Sequence, residues 1–260
     1  MLAELFARQP ALAGFALLSL VGCALTATLM ALDARLIGDV SVWLKPTKFF
    51  LSIAVFAGTM AWFFGAVRPE RRASRLMRAT VVMLIATASF ELAWISWQGA
   101  HGQASHFNFD TPLTQIMYSL MGVAAVLLVG TTLPMAWEIA RRPIAGIDPG
   151  YRLAVVLGLV LTFALGGSLG GYISANGGAT VGAHASDIPL FSWNRIGGDL
   201  RIAHFLGIHA QQAMPALAGL LIMARVRMRA AILVVAATGY AALTLLLWRQ
   251  AAAGIPLIGA

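Results

Sequence analysis

The sequence predicts an all-α, polytopic membrane protein, a bundle of seven transmembrane helices. Three observations predict it. Of 260 residues, 60% are apolar and only 11% are charged, less than half the charged share of an ordinary soluble domain. Apolar runs of about 20 residues, the length that crosses a bilayer, recur along the whole chain. The arginines gather in short stretches between those runs, which is a topology signal. Runs this long and without alternation are helices, because a bilayer accepts only helices or closed barrels.

The segments follow in order, with boundaries good to a few residues. They lie at about 11–32, 46–67, 76–98, 113–138, 151–174, 199–224 and 229–248, all within a single integral-membrane domain over 1–260. In the first, Leu20-Val21-Gly22-Cys23 has the spacing of a lipoprotein signal box. Apolar sequence continues through Leu32, however, and a signal core is only about 7–15 residues long, so a retained helix is expected. Cys23 is the single cysteine, which excludes an intramolecular disulfide and a cysteine metal cluster. The fifth segment carries Gly166, Gly167, Gly170 and Gly171, two overlapping small-xxx-small pairs that let helices approach closely. No internal repeat is visible, so an inverted-repeat transporter is not expected.

Orientation follows from Lys and Arg. Arg8, the 68–78 stretch, the 141–152 stretch and the 225–229 stretch hold twelve of them, and the opposite side holds six: Arg35, Lys45, Lys48, Arg195, Arg201 and Arg249. The positive-inside rule then puts the N-terminus inside and the C-terminus outside, as expected for a multi-pass protein of the cell inner (plasma) membrane. The net charge of +8 is accounted for by these loops. No nucleic-acid partner is expected, because no basic helix or aromatic-basic module is present.

The outer loops are longer and chemically richer than the inner ones. The third-to-fourth loop, 99–110, contains His101, His106, Phe107 and Phe109. The fifth-to-sixth loop, about 175–198, contains His184, Asp187, Phe191 and Trp193. Their aromatics predict loops packed down as lids over an outer-half site.

All five histidines fall on that side or in the outer half of a helix. The stretch Gly197–Gln212 takes Asp199, Arg201, His204, His209, Gln211 and Gln212 into an apolar segment. Ionisable groups at membrane depth are costly unless paired or used, so they mark function. A rise of 1.5 Å per residue puts His204 about 7 Å and His209 about 15 Å along the sixth helix. Five residues apart, the two rings point about 140° away from each other. Asp199 reads equally as the N-cap of that helix and as a site residue. Glu91 lies about 10 Å below the outer end of the third helix. A carboxylate there is protonated or paired, and Glu91, Trp94 and Gln98 share one helix face. Lys45 and Lys48, the only lysines, open the second helix, either snorkelling to the interface or clamping an anion.

These residues point first to a periplasmic-side metal or haem centre for redox or metal-assisted chemistry. Its ligand candidates are His106, His204 and His209, with neutral imidazoles anchored through their second nitrogen. The second expectation is a metal-free acid/base enzyme acting on a lipid or quinone. Glu91, His204 and Asp199 would be catalytic there, while Lys45, Lys48, Arg201 and Gln98 bind the substrate or cofactor. The third is a non-enzymatic transporter, proton pathway or subunit with a membrane complex partner. No zinc-protease, nucleophile-elbow, phosphate-loop or dinucleotide motif is present, and the seventh segment has no lysine for a retinal Schiff base.

Overall fold

A computed structural model describes residues 1–183 and 193–259 of the chain. Seven helices are long and apolar enough to cross a membrane: α1 Pro10–Leu32, α2 Leu44–Ala66, α3 Arg75–Ala100, α4 Pro112–Arg141, α5 Pro149–Ala175, α6 Leu200–Met223 and α7 Arg229–Ala252. The protein is therefore an all-α, multi-pass membrane bundle. Each helix lies within a few residues of its expected segment. A short helix, Leu2–Arg8, precedes α1. Two small hairpins close loops: β1 Leu36–Ile37 with β2 Val40–Ser41, and β3 Thr180–Val181 with β4 Gly198–Asp199.

The helices divide into two compact units. Met1–Gly65 and Arg72–Thr131 form the first, and Ala66–Arg71 with Thr132–Ala260 the second. The boundary crosses α4 at Thr131, whose hydroxyl donates back to the Leu128 carbonyl at 2.6 Å.

In the first unit, Pro10 opens α1 behind Gln9, whose side chain accepts from Ala11 N at 2.7 Å. Proline is tolerated there because that position has no helical partner to lose. α1 packs along α2, and Thr47 Oγ1 donates to Thr26 Oγ1 at 3.0 Å between them. Arg8 donates to the Trp62 carbonyl at 2.8 Å and stacks on its ring. At the other end of these helices, Asp33 gathers Arg35 and the Trp43 indole N–H, which donates to Oδ2 at 2.8 Å. These two partners hold the Asp33 carboxyl well below the usual carboxylate range, the Arg35 hydrogen bond most of all. Ser74 caps α3. The buried face of α3 reads Met77, Leu84, Ala88, Glu91, Ile95, Gln98, the i, i+3/i+4 spacing of one helical stripe. α4 begins with a capping box between Thr111 and Thr114, followed by Pro112, which satisfies two orphan donors at once.

In the second unit, Asp148 caps α5 and binds Arg229 at 2.9 Å. Glu138, 0% exposed, takes Arg71 Nε at 2.8 Å and lies 3.6 Å from Arg142. The core of this unit is Ala154, Met214, Ala218, Leu233 and Ala237. α5 widens to a π-turn over Thr162–Gly167, and α6 carries Pro215 in its interior. Thr162 joins the two helices where the π-turn begins. Its hydroxyl donates to the Ile208 carbonyl at 3.3 Å and accepts from Gln211 N at 3.0 Å. A buried hydrogen bond contributes about 1 kcal/mol. Thr162→Val, which keeps the shape and removes both bonds, should therefore cost about 1–2 kcal/mol, read as a lower melting point in detergent. An unchanged melting point would show that the bridge is idle.

Candidate functional site

The polar residues of the first unit converge at the end where α2 begins and α3 finishes. Lys45, in the first turn of α2, reaches into the 101–111 loop, and its Nζ lies 3.0 Å from His106 Nδ1. An ammonium only donates, so Nδ1 supplies the lone pair and the ring keeps its proton on Nε2. Ser105 Oγ stands 3.2 Å from the same Nδ1. Burial first, and the Lys45 charge second, push the His106 imidazole down to about 3. His106 is therefore a neutral ring with a fixed tautomer, a hydrogen-bond donor through Nε2 at neutral pH.

Two side chains of α3 hold that loop in place. Gln98, 2% exposed, donates to the Ala104 carbonyl at 3.2 Å, and the Trp94 indole donates to the Ser105 carbonyl at 3.1 Å. Phe107 takes a positive φ of 54°, uncommon for a bulky residue, where the loop turns after His106. Phe107 and Phe109 pack on Tyr118, each at 5.2 Å between ring centroids. Tyr118 and Phe49 flank the His106 ring at 6.3 and 6.2 Å. Phe107 is half-buried, whereas Phe109 stays 53% exposed despite its contact with Tyr118.

Glu91 lies on the same α3 face, one and two turns below Trp94 and Gln98. It is 3% exposed, its Oε1 has no hydrogen-bond partner, and Lys45 is the charge that acts on it. A buried carboxyl oxygen without a donor is costly, and such groups concentrate where protons are handled. Lys48 follows Lys45 one turn on in α2.

The other expected residues lie in the second unit. Asp199 caps α6. Its carboxylate accepts from Arg201 N and Nε, both at 2.9 Å, and from Asn194 N at 2.8 Å. The Asp199–Arg201 pair thus clamps the loop entering α6, and both partners are engaged. His204 rests over Gly170, while His209 stacks on Phe205 at 4.3 Å and meets Gln212 Oε1 at 3.2 Å. The two rings have separate surroundings, in keeping with their five-residue spacing. Among the described residues, no group of three or more His, Cys, Asp or Glu side chains stands together to hold a metal ion. His101 is exposed and bonded within its own helix end to the Trp97 carbonyl. His184, Asp187 and Phe191 lie outside the described residues.

Sequence reasoning overlooked the loop-holding role of Trp94 and the flanking ring of Tyr118. The signal for Trp94 was its place three residues after Glu91. Tyr118 carries no such signal, because its partners come from a loop.

The fold is that of a seven-helix, multi-pass membrane protein, whose first unit carries a half-buried Lys45–His106 pair and a buried Glu91 carboxyl. Comparison with family models, with curated proteins and with solved structures finds no match.

Proposed function

We propose that the first unit carries a metal-free acid/base centre acting on a membrane-dissolved lipid or quinone that bears a carbonyl oxygen. The observation that supports it is the 3.0 Å contact between Lys45 Nζ and His106 Nδ1, set beside the buried Glu91 carboxyl with an unpartnered oxygen. In this reading the Nε2–H of His106 binds the substrate oxygen, and Lys45 keeps that proton on Nε2. Glu91 gives or takes the proton of the reaction, a role that contributes typically 10²–10⁴-fold. Gln98 and Trp94 are positioning residues for the loop, and Lys48 adds positive charge for an anionic head group. The twelve-to-six division of basic residues favours placing this end on the periplasmic side of the inner membrane.

The same contact occupies Nδ1 of His106, so a metal would meet this ring only at Nε2, in place of the proton held there.

The test is to incubate purified protein with a total extract of membrane lipids and quinones and follow product formation by mass spectrometry. Glu91→Gln and His106→Gln should each lower turnover at least about tenfold with unchanged helical circular dichroism. Full turnover in both variants removes the proposal. Ion flux in liposomes without turnover would support transport instead.

A further inference from the structure

The second unit holds two polar groups, fully buried Gln211 and half-buried His204, that neither its packing nor the proposed centre uses. Gln211 is 0% exposed, and both its Oε1 and its Nε2 lack a hydrogen-bond partner. His204 has its Nδ1 buried and equally without a partner. Among the described residues, nothing pairs with that Nδ1, which lies on the side of the ring nearest Gly170.

The two residues are seven apart, two helical turns or about 10.5 Å along α6. Both lie on the side that faces α5. His204 sits against Gly170, where an added Cβ would stand 3.0 Å from Cε1. Gln211 sits against Gly158, where an added Cβ would stand 3.0 Å from the Gln211 Cα. Both helices are irregular between them. α5 makes its π-turn over Thr162–Gly167, and such turns recur at functional sites. In α6, Pro215 has no N–H to give to the Gln211 carbonyl four residues earlier. Gln211 therefore offers an amide donor, an amide acceptor and a main-chain acceptor, while its main-chain N–H is held by the Thr162 hydroxyl.

Membrane interiors tolerate irregular backbone only where protein or water satisfies it, and leaving a buried polar group unpaired is costly. The occupant must pair with His204 Nδ1, and at Gln211 it must both donate and accept. It must also fit a seam closed by Gly166 and Gly207 between the two positions. Water is the smallest molecule that meets all three demands, and buried waters make two to four such bonds.

We propose that the α5–α6 seam of the second unit is an internal hydration site. One water bonds to His204 Nδ1, and another is held by the Gln211 amide and main-chain carbonyl. The half-buried His204 ring then has water in hydrogen-bond contact on its Nδ1 side. This inference is independent of the acid/base centre.

The experiment uses the whole protein in lipid vesicles, with histidine and glutamine labelled with ¹⁵N. Water-edited solid-state NMR should transfer magnetisation from water to the His204 and Gln211 side chains, to an extent comparable with exposed His101 and Gln103. Absence of transfer to both overturns the proposal. Gln211→Leu adds a second readout. Removing a hydrated amide should lower the melting point, whereas removing a dry, unpaired amide should raise it, and a rise overturns the proposal. Should that variant fail to fold, the measurement on the wild-type protein still decides.

Discussion

Gly207→Leu is expected to destabilise the second unit by about 3 kcal/mol or more, near or beyond the usual upper end for overpacked cores. A Cβ on Gly207 would stand 2.7 Å from Gly166 N and 2.9 Å from the Leu165 carbonyl carbon. Both obstacles are backbone, held in the π-turn of α5, so no rotamer change relieves the collision. The reverse replacement at Gly166 meets Ile208 Cδ1 at 2.7 Å, a side-chain end that can move, and should cost less. Gly219 and Gly239 have nothing within 4 Å of an added Cβ. Alanine at either should be neutral or mildly stabilising, since alanine is about 1 kcal/mol better than glycine within a helix. Thermal unfolding of the four variants in one detergent tests the order. Equal melting points for Gly207→Leu and Gly219→Ala would show that α5 and α6 do not meet at Gly207.

Lys45→Met is expected to raise the titration of His106. Burial and the neighbouring ammonium together hold this ring at about 3, against an ordinary 6.5. Methionine removes the like charge and leaves much of the burial, so the ring should titrate above 3 and still below 6.5. The sign of the stability effect follows. Between about 3 and 6.5 the unfolded chain binds a proton that the folded chain refuses. Stability therefore rises with pH across that window, by at most about 1.4 kcal/mol per pH unit for one proton. The contribution is complete above 6.5 and is lost as pH falls toward 3. Lys45→Met should narrow the window from below, and His106→Gln should abolish it. Ring NMR of His106 gives the titration, and unfolding at several pH values gives the slope. Identical His106 titrations with and without Lys45 would mean that the 3.0 Å contact does not exist in the membrane.

Much of the architecture was legible from residue order. Apolar length placed all seven helices, because in hydrocarbon a helix satisfies its backbone within its own segment. Local chemistry also announced the start of α6, where Asp199 is the cap and depends on its immediate neighbours. Of the four glycines of α5 that predict close packing, Gly166 and Gly170 meet α6, whereas an added Cβ at Gly167 or Gly171 would have nothing within 4 Å. Glu91 and Gln98 were expected on one buried face of α3, which helical spacing alone decides. The π-turn at Thr162–Gly167 was not legible, because it follows from how α5 accommodates α6 and the Thr162 bridge.

For the site, the sequence by itself marked Lys45, Glu91, Gln98, His106, His204 and His209 as polar groups at costly depths. It could not say which of them meet. That was decided by tertiary structure, since the partners are joined by long-range contacts that leave no periodic trace: Lys45 with His106 sixty-one residues on, and Tyr118 across that same ring. The depth of a charge in a bilayer is set by its position along one helix, whereas its partner is set by how helices pack. The first is local and readable from residue order, and the second exists only once the chain has folded.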